Sequence, residues 1–262
     1  MITLPPTRYI LPNLFTISAA FCGFSSIWIS TQAETPEQFY GSAALICLAV
    51  FLDGFDGRIA RWVDGESKIG GQLDSLSDFL TFGVAPAMLA YAWGLRAMGT
   101  VGLVAVFLFA AAAMLRLARF NVQAEQDGGC SRYFTGLPAP MAGLAVALLI
   151  GVNSGVIGRA AMVDSAMPSL ALFLILLGFL MISNVPFRTF KDIRPTRTNR
   201  LFIAAILATQ LVVSFTVDFT VALSLGLIGY LTYTLTGGII GFARVRGVRA
   251  QRDGTLVDDD DE

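Results

Sequence analysis

The sequence holds no histidine among its 262 residues. That absence excludes imidazole as metal ligand, proton shuttle or general base, so any acid–base chemistry must come from carboxylates. Cysteine is almost as scarce. Cys22, Cys47 and Cys130 are too few and too scattered for a disulfide framework or a zinc site, and are expected as small core residues. Charge is thin too: Asp, Glu, Lys and Arg make up 14% of the chain, where a soluble domain carries about a quarter. The net charge of -1 says little, because charge here is sorted by position. No soluble second domain and no internal repeat can be read from the sequence.

What is present is apolar surface, with 55% hydrophobic residues and a mean hydropathy of +0.68. Apolar runs near 11–30, 39–58, 75–94, 99–118, 139–157, 167–187, 201–216 and 218–241 approach the ~20 residues needed to cross a bilayer. The last two are almost continuous and are divided at Val217–Asp218, because together they are too long for one span. The first lacks the basic start and small-residue cleavage site of a signal peptide and reads as a retained helix. The expected fold is an all-α polytopic membrane protein, a bundle of about eight transmembrane helices in one domain, 1–243. The tail 244–262 turns from basic to acidic and is expected to be disordered.

Eight spans sort the loops into two sets. Of the 18 basic residues, all but Arg96 and Arg159 fall on the side that also holds both termini. The positive-inside rule makes that side cytoplasmic. The predicted setting is an integral membrane protein, bacterial and in the inner membrane, with its active-site cavity facing the cytoplasm.

On that side lies the one stretch dense in carboxylates, Asp53-Gly-Phe-Asp56-Gly57-Arg-Ile-Ala60-Arg61, followed by Gly70, Asp74 and Asp78. Ionised side chains at the edge of apolar segments are expensive and usually functional. On helices, Asp53 and Asp56 share a face, as do Asp74 and Asp78. Two helices presenting two carboxylates each make an oxygen cage suited to hard divalent cations. Gly57 and Ala60 continue the face of the first pair without blocking a ligand, and Arg61 adds a fixed positive charge. The carboxylates would otherwise be solvated caps or ion-pair partners of Arg58, Arg61 and Lys68.

The frame Asp-x2-Asp-Gly-x2-Ala-Arg-x8-Gly-x3-Asp-x3-Asp resembles the signature of the CDP-alcohol phosphatidyltransferase family, and every specified position is filled. The resemblance implies two divalent cations, Mg2+ or Mn2+, with Asp53 and Asp74 touching both, Asp56 the first and Asp78 the second. It implies Asp78 as the general base. It further implies a CDP-diacylglycerol pocket formed by Gly57, Ala60, Arg61, Ser67 and Gly70, joined by Asn13 and Thr16 at the head of the first span. From spacing alone, Asn13 and Thr16 are equally an ordinary polar helix start, and Ser67 a local turn cap.

Softer phrases point to one branch of that family. Leu11-Pro-Asn-Leu-Phe-Thr, the helix carrying Asp74 to Pro86, Asn184 to Asp192, and above all Arg116-Leu-Ala-Arg119-Phe-Asn121 followed by Phe134-Thr-Gly136-Leu-Pro138 resemble phosphatidylserine synthases. By this resemblance the donor is CDP-diacylglycerol, the acceptor L-serine, and the protein a homodimer among membrane lipids with no nucleic-acid partner. Arg116, Arg119 and Asn121 either anchor a helix at the anionic leaflet or face the site and hold a phosphate or the acceptor carboxylate. The polar, Gly-rich stretch 122–137 is expected as a loop covering the site, and Pro86 as a kink or packing adjustment in its span. Two alternatives stay open: a family member using glycerol 3-phosphate, inositol phosphate or choline, and a cation transporter. The cluster's place at the end of its helices, not at the midplane, counts against the transporter.

Overall fold

The computed structural model describes residues 10–62, 67–127, 133–183, 186–188, 209–210, 212–214 and 216–232, with side chains left undescribed at 10–11, 56–57, 60–61, 68, 124–127, 133–135 and 186–188. Within these bounds the protein is a helical bundle. Helix α1 (Ile10–Thr31) and α2 (Pro36–Trp62) are joined by a tight outer turn and lie against each other. Small polar residues allow the approach: the Ser26 and Ser42 hydroxyls meet at 2.8 Å, and Ser42 also donates to the Ser26 carbonyl at 2.9 Å. In an apolar surround such pairs satisfy groups that water cannot reach.

The third span is one continuous helical rod with a widened turn inside it. Helix α3 (Lys68–Asp78) passes into a π-helical turn, Phe79–Val84, and then into α4 (Ala85–Trp93). Pro86 explains why the helix widens there. It has no N–H to give to the Phe82 carbonyl one turn back, and its ring would crowd that oxygen in a regular α-helix. The turn instead closes through Ala85 N–H to the Leu80 carbonyl, the longer π spacing. The adjustment expected at Pro86 is this widened turn.

Helix α5 (Thr100–Asp127) runs well beyond the predicted end of the fourth span. The loop expected over 122–137 is corrected accordingly: it opens only after Asp127, and it closes in a short strand, β1 (Tyr133–Thr135). This strand pairs antiparallel with β2 (Pro186–Arg188), Phe134 opposite Phe187. The predicted span 167–187 is likewise shortened, because α7 (Met167–Ile182) stops before β2. Gly136, at φ +84°, permits the turn from β1 toward α6 (Ala139–Gly155); a side chain there would also meet the Met181 carbonyl. Short sequence runs of Tyr-Phe-Thr and Pro-Phe-Arg carry too little period-2 pattern to announce a two-stranded ribbon.

The buried centre is built from α2, α4, α5, α6 and α7, with Ile46, Phe82, Leu89, Trp93, Phe109, Ile150 and Leu174 almost fully enclosed. Cys22 and Cys47 are buried and free, as expected of small core residues, while Cys130 lies outside the described residues. The last described helix, α8 (Phe219–Thr232), begins where the sequence was divided: Asp218 caps it, accepting from Thr220 N–H at 2.7 Å. Outward-facing side chains are large and apolar, among them Phe21, Phe24 and Trp28 on α1, and Phe107, Leu172 and Phe179. Four helical stretches, Pro12–Thr31, Pro36–Phe55, Thr100–Gln123 and Asp164–Ile182, are long and apolar enough to cross a membrane. An apolar coat of this kind is what an integral membrane protein turns to lipid. The parts of the expected seventh and eighth spans at 201–208 and 233–241, and the tail 244–262, lie outside the described residues.

Candidate active site

The inner ends of α2 and α3 converge on carboxylates. One oxygen each from Asp53, Asp74 and Asp78 lies within 4.8 Å of the others, and all three side chains are half-buried. The four-residue step from Asp74 to Asp78 puts both on one face of α3, opposite Asp53 on α2. Three negative charges at this distance, partly shielded from water, repel unless a positive charge lies among them. The donors are all hard oxygens, and their spacing fits a magnesium- or manganese-type cation. Asp56 lies one turn beyond Asp53 on α2; its side chain, like those of Gly57, Ala60 and Arg61, lies outside the described residues.

Two hydroxyls in the third span fix its height against α1. Ser77 donates to the Thr16 carbonyl at 3.0 Å and Thr81 to the Ala19 carbonyl at 3.3 Å. Both are buried and one turn apart, so they stitch the rod carrying Asp74 and Asp78 to the first helix. The sequence analysis passed them over; small polar residues four apart inside an apolar run were the available signal. Gly23 completes the contact, since a Cβ there would lie 2.7 Å from the Thr81 hydroxyl and 2.9 Å from its Cα.

The residues predicted for the nucleotide pocket gather in part. Ser67 is the N-cap of α3, accepting from Gly70 N–H at 2.9 Å. A Cβ at Gly70 would sit 3.0 Å from the Ser67 hydroxyl and 3.3 Å from Oδ1 of Asn13, so Asn13, Ser67 and Gly70 share one corner. Thr16, one turn deeper on α1, is buried and donates to the Pro12 carbonyl at 3.3 Å. The cap reading of Ser67 is thus realised, at a corner that Asn13 also reaches.

On α5, Asn121 bonds to Ser75, the neighbour of Asp74: its amide donates to the Ser75 hydroxyl at 2.9 Å, and its Oδ1 lies 3.1 Å from the same hydroxyl. Arg116 is in electrostatic range of Asp78 and of Tyr230 on α8, and its Nε is buried without a hydrogen-bond partner. Arg119 instead donates to the Ile182 carbonyl at the end of α7, at 3.3 Å. Two of the three residues proposed for the acceptor therefore reach toward the carboxylates, while the described bond of Arg119 holds α7. Tyr230 was missed altogether, because an aromatic near the end of an apolar span has the look of an interface anchor.

Comparison with known proteins bears on this geometry. Residues 9–177 match the family model for CDP-alcohol phosphatidyltransferase, a region that holds every carboxylate of the cluster. The chain is 35% identical over 205 residues to the CDP-diacylglycerol–serine O-phosphatidyltransferase of Helicobacter pylori, covering 78% of this chain and 81% of that protein. It is 30% identical over 181 residues to the protein of the same name from Bacillus subtilis, covering 69% and 91%. A Saccharomyces cerevisiae protein of that name matches at 36% over 150 residues, about half of each chain (54% and 52%). With the filled signature, the converging carboxylates and a family match over most of its length, the chain belongs to the CDP-alcohol phosphatidyltransferase family.

Proposed function

We infer that the protein transfers the phosphatidyl group of CDP-diacylglycerol to L-serine, giving phosphatidylserine and CMP. The observation that carries this reading is the grouping of Asp53, Asp74 and Asp78 at one end of an apolar bundle, in a chain whose relatives in three organisms bear that activity in their names. The lipid donor accounts for the setting. Its acyl chains stay in the bilayer while its diphosphate reaches the helix ends, where hydrophobic surface gives way to carboxylates.

The serine hydroxyl oxygen attacks the phosphorus that bears the diacylglycerol. The bond from that phosphorus to the bridging oxygen breaks, and CMP departs with the electron pair. Asp78 takes the hydroxyl proton; with no histidine in the sequence, a carboxylate beside the acceptor is the base the chain offers. Asp53, Asp74 and Asp78, with Asp56 as the fourth ligand, would hold the divalent cations, two in number by family resemblance. Such ions neutralise the diphosphate and stabilise charge on the attacking and leaving oxygens. Asn13, Ser67 and Gly70 form the corner assigned to the CDP moiety, and Gly57, Ala60 and Arg61 the adjoining wall on α2. Arg116 offers a guanidinium near Asp78 for the acceptor carboxylate, a group Arg can grip with two parallel hydrogen bonds. Asn121 orients the segment around Ser75 from the side.

Orientation follows from the same chemistry. Nucleotide-activated lipid presents its head group to the cytoplasm, and the basic residues crowd the carboxylate end, so this end faces the cytoplasm of a bacterial inner membrane. A homodimer is the assembly expected by family resemblance.

The test is CMP release from CDP-diacylglycerol in detergent with magnesium or manganese, across serine, glycerol 3-phosphate, inositol phosphate and choline. Serine-dependent release that yields phosphatidylserine supports the reading. Release with another acceptor and not with serine overturns the acceptor while keeping the family. Ion flux in liposomes without lipid turnover would return the transporter alternative.

A further inference from the structure

Helix α8 lies beyond the family match, which ends at residue 177, yet it is tied to the site at both ends. At its start, Asp218 is held by donors from two helices. Its Oδ1 accepts from the Thr220 N–H at 2.7 Å and from the Thr220 hydroxyl, and its Oδ2 accepts from the Tyr40 hydroxyl of α2 at 2.8 Å. The Tyr40 ring also stacks edge-on against Phe219, centroids 5.6 Å apart. Further along, Leu227, Tyr230 and Leu231 pack with Cys47 and Val50 of α2 and with Met141, Leu144 and Leu148 of α6.

Those two contacts fix direction as well as position. Tyr40 precedes Cys47 and Val50 on α2, and Asp218 precedes Leu227 and Tyr230 on α8, so the two helices run side by side in the same sense. From Asp218 to Tyr230 the rise is about 18 Å, and from Tyr40 to Asp53 about 20 Å, at 1.5 Å per residue. Tyr230 therefore arrives at the level of the carboxylates. There it lies in electrostatic range of Arg116, whose buried Nε has no hydrogen-bond partner and whose charge also reaches Asp78.

We propose that Tyr230 is a positioning residue for the acceptor: its hydroxyl steadies the Arg116 guanidinium beside Asp78, and the Tyr40–Asp218 clamp sets the height at which it does so. This rests on the reading of Arg116 as the group that receives the serine carboxylate. It adds a part of the chain outside the family match to the acceptor side of the site. An arginine held by one neighbour presents its fork in one orientation, which favours a planar carboxylate over a bulkier anion.

The experiment measures CMP release by purified wild-type enzyme, Y230F, Y40F and the pair R116K and R116K/Y230F, varying serine and CDP-diacylglycerol separately. Y230F keeps the ring that packs on α2 and α6 and removes only the hydroxyl. The expected result is a KM for serine raised about five-fold, with kcat within about two-fold and the KM for CDP-diacylglycerol unchanged, as for an interaction made equally in ground and transition states. Y40F, remote from the site, raises the serine KM about two-fold. In the R116K background, Y230F adds less than about 1.5-fold, because the group it steadies is gone. An unchanged serine KM in Y230F, an equal change in both KM values, or a full Y230F effect in the R116K background overturns the proposal. Wild-type enzyme that ignores serine overturns the acceptor reading instead, so the two failures are told apart.

Discussion

Asp218 and the trio Asp53, Asp74 and Asp78 are the same residue type at opposite ends of one bundle, and their surroundings give them opposite meanings. Asp218 meets donors on both oxygens, from Thr220 and Tyr40. It is a carboxylate used as mortar, closing the start of α8 onto α2. The trio meets other carboxylates, with oxygens within 4.8 Å of one another. One arrangement lowers the energy of the fold by hydrogen bonding. The other raises it by like-charge proximity and is relieved by a cation. What distinguishes structure from chemistry here is not the acid but the sign of what faces it.

The largest expected effect comes from breaking the trio. Asp78→Asn should lower CMP release by about a thousand-fold, the scale of a lost general base combined with a damaged metal site. Chelation of divalent cations from the wild type should abolish turnover, and added manganese should restore it. Asp74→Asn separates the two meanings of a carboxylate. It should lose activity, lose the rise in melting temperature that manganese gives the wild type, and yet melt no lower than wild type without cation, because one repulsive charge has gone. A cation-free Asp74→Asn that melts well below wild type would show the trio to be structural mortar like Asp218.

Next in size are the glycines that seat the third span. Gly143→Ala would set a Cβ 2.8 Å from the Phe82 carbonyl oxygen and 3.0 Å from its Cα, and Gly23→Ala would press on Thr81. Both neighbours are backbone of the widened turn just beyond Asp78, so they cannot swing aside. Each substitution should cost about 1–3 kcal/mol of stability and lower turnover by moving Asp78, read as a fall in melting temperature together with kcat. Asp218→Asn should cost about 1–2 kcal/mol, since an amide turns a donor toward Tyr40 or Thr220. Unlike the trio, it should keep CMP release at saturating serine within about two-fold of wild type.

The sequence made the membrane class and the carboxylate cluster legible because both are local signals. Hydropathy runs gave α1, α2, α5 and α7 to within a few residues at their starts, and the helical step joined Asp74 to Asp78. Helix ends were less legible: α5 continues to Asp127 because Arg116, Arg119 and Asn121 are as good in a helix as in a loop. The ribbon of β1 and β2 joins segments some 50 residues apart, a pairing that no local pattern encodes. Ser77, Thr81 and Tyr230 were missed for one reason. Each is placed by a contact to a distant helix, and in the sequence a lone hydroxyl in an apolar run reads as ordinary.

The smallest effect sharpens the comparison at a residue with two candidate roles. Ser67 accepts from Gly70 N–H at 2.9 Å and so caps α3, while Asn13 crowds the same glycine. Ser67→Ala should cost about 1 kcal/mol as a lost N-cap, and Ser67→Asp, which caps equally well, should restore stability. If the hydroxyl also meets the CDP moiety, the two variants part company in kinetics. Ser67→Asp would then keep the helix but place a negative charge by the diphosphate, raising the KM for CDP-diacylglycerol above that of Ser67→Ala. Equal KM values across wild type, Ser67→Ala and Ser67→Asp would make Ser67 a cap alone, a second piece of mortar one helix turn from the chemistry.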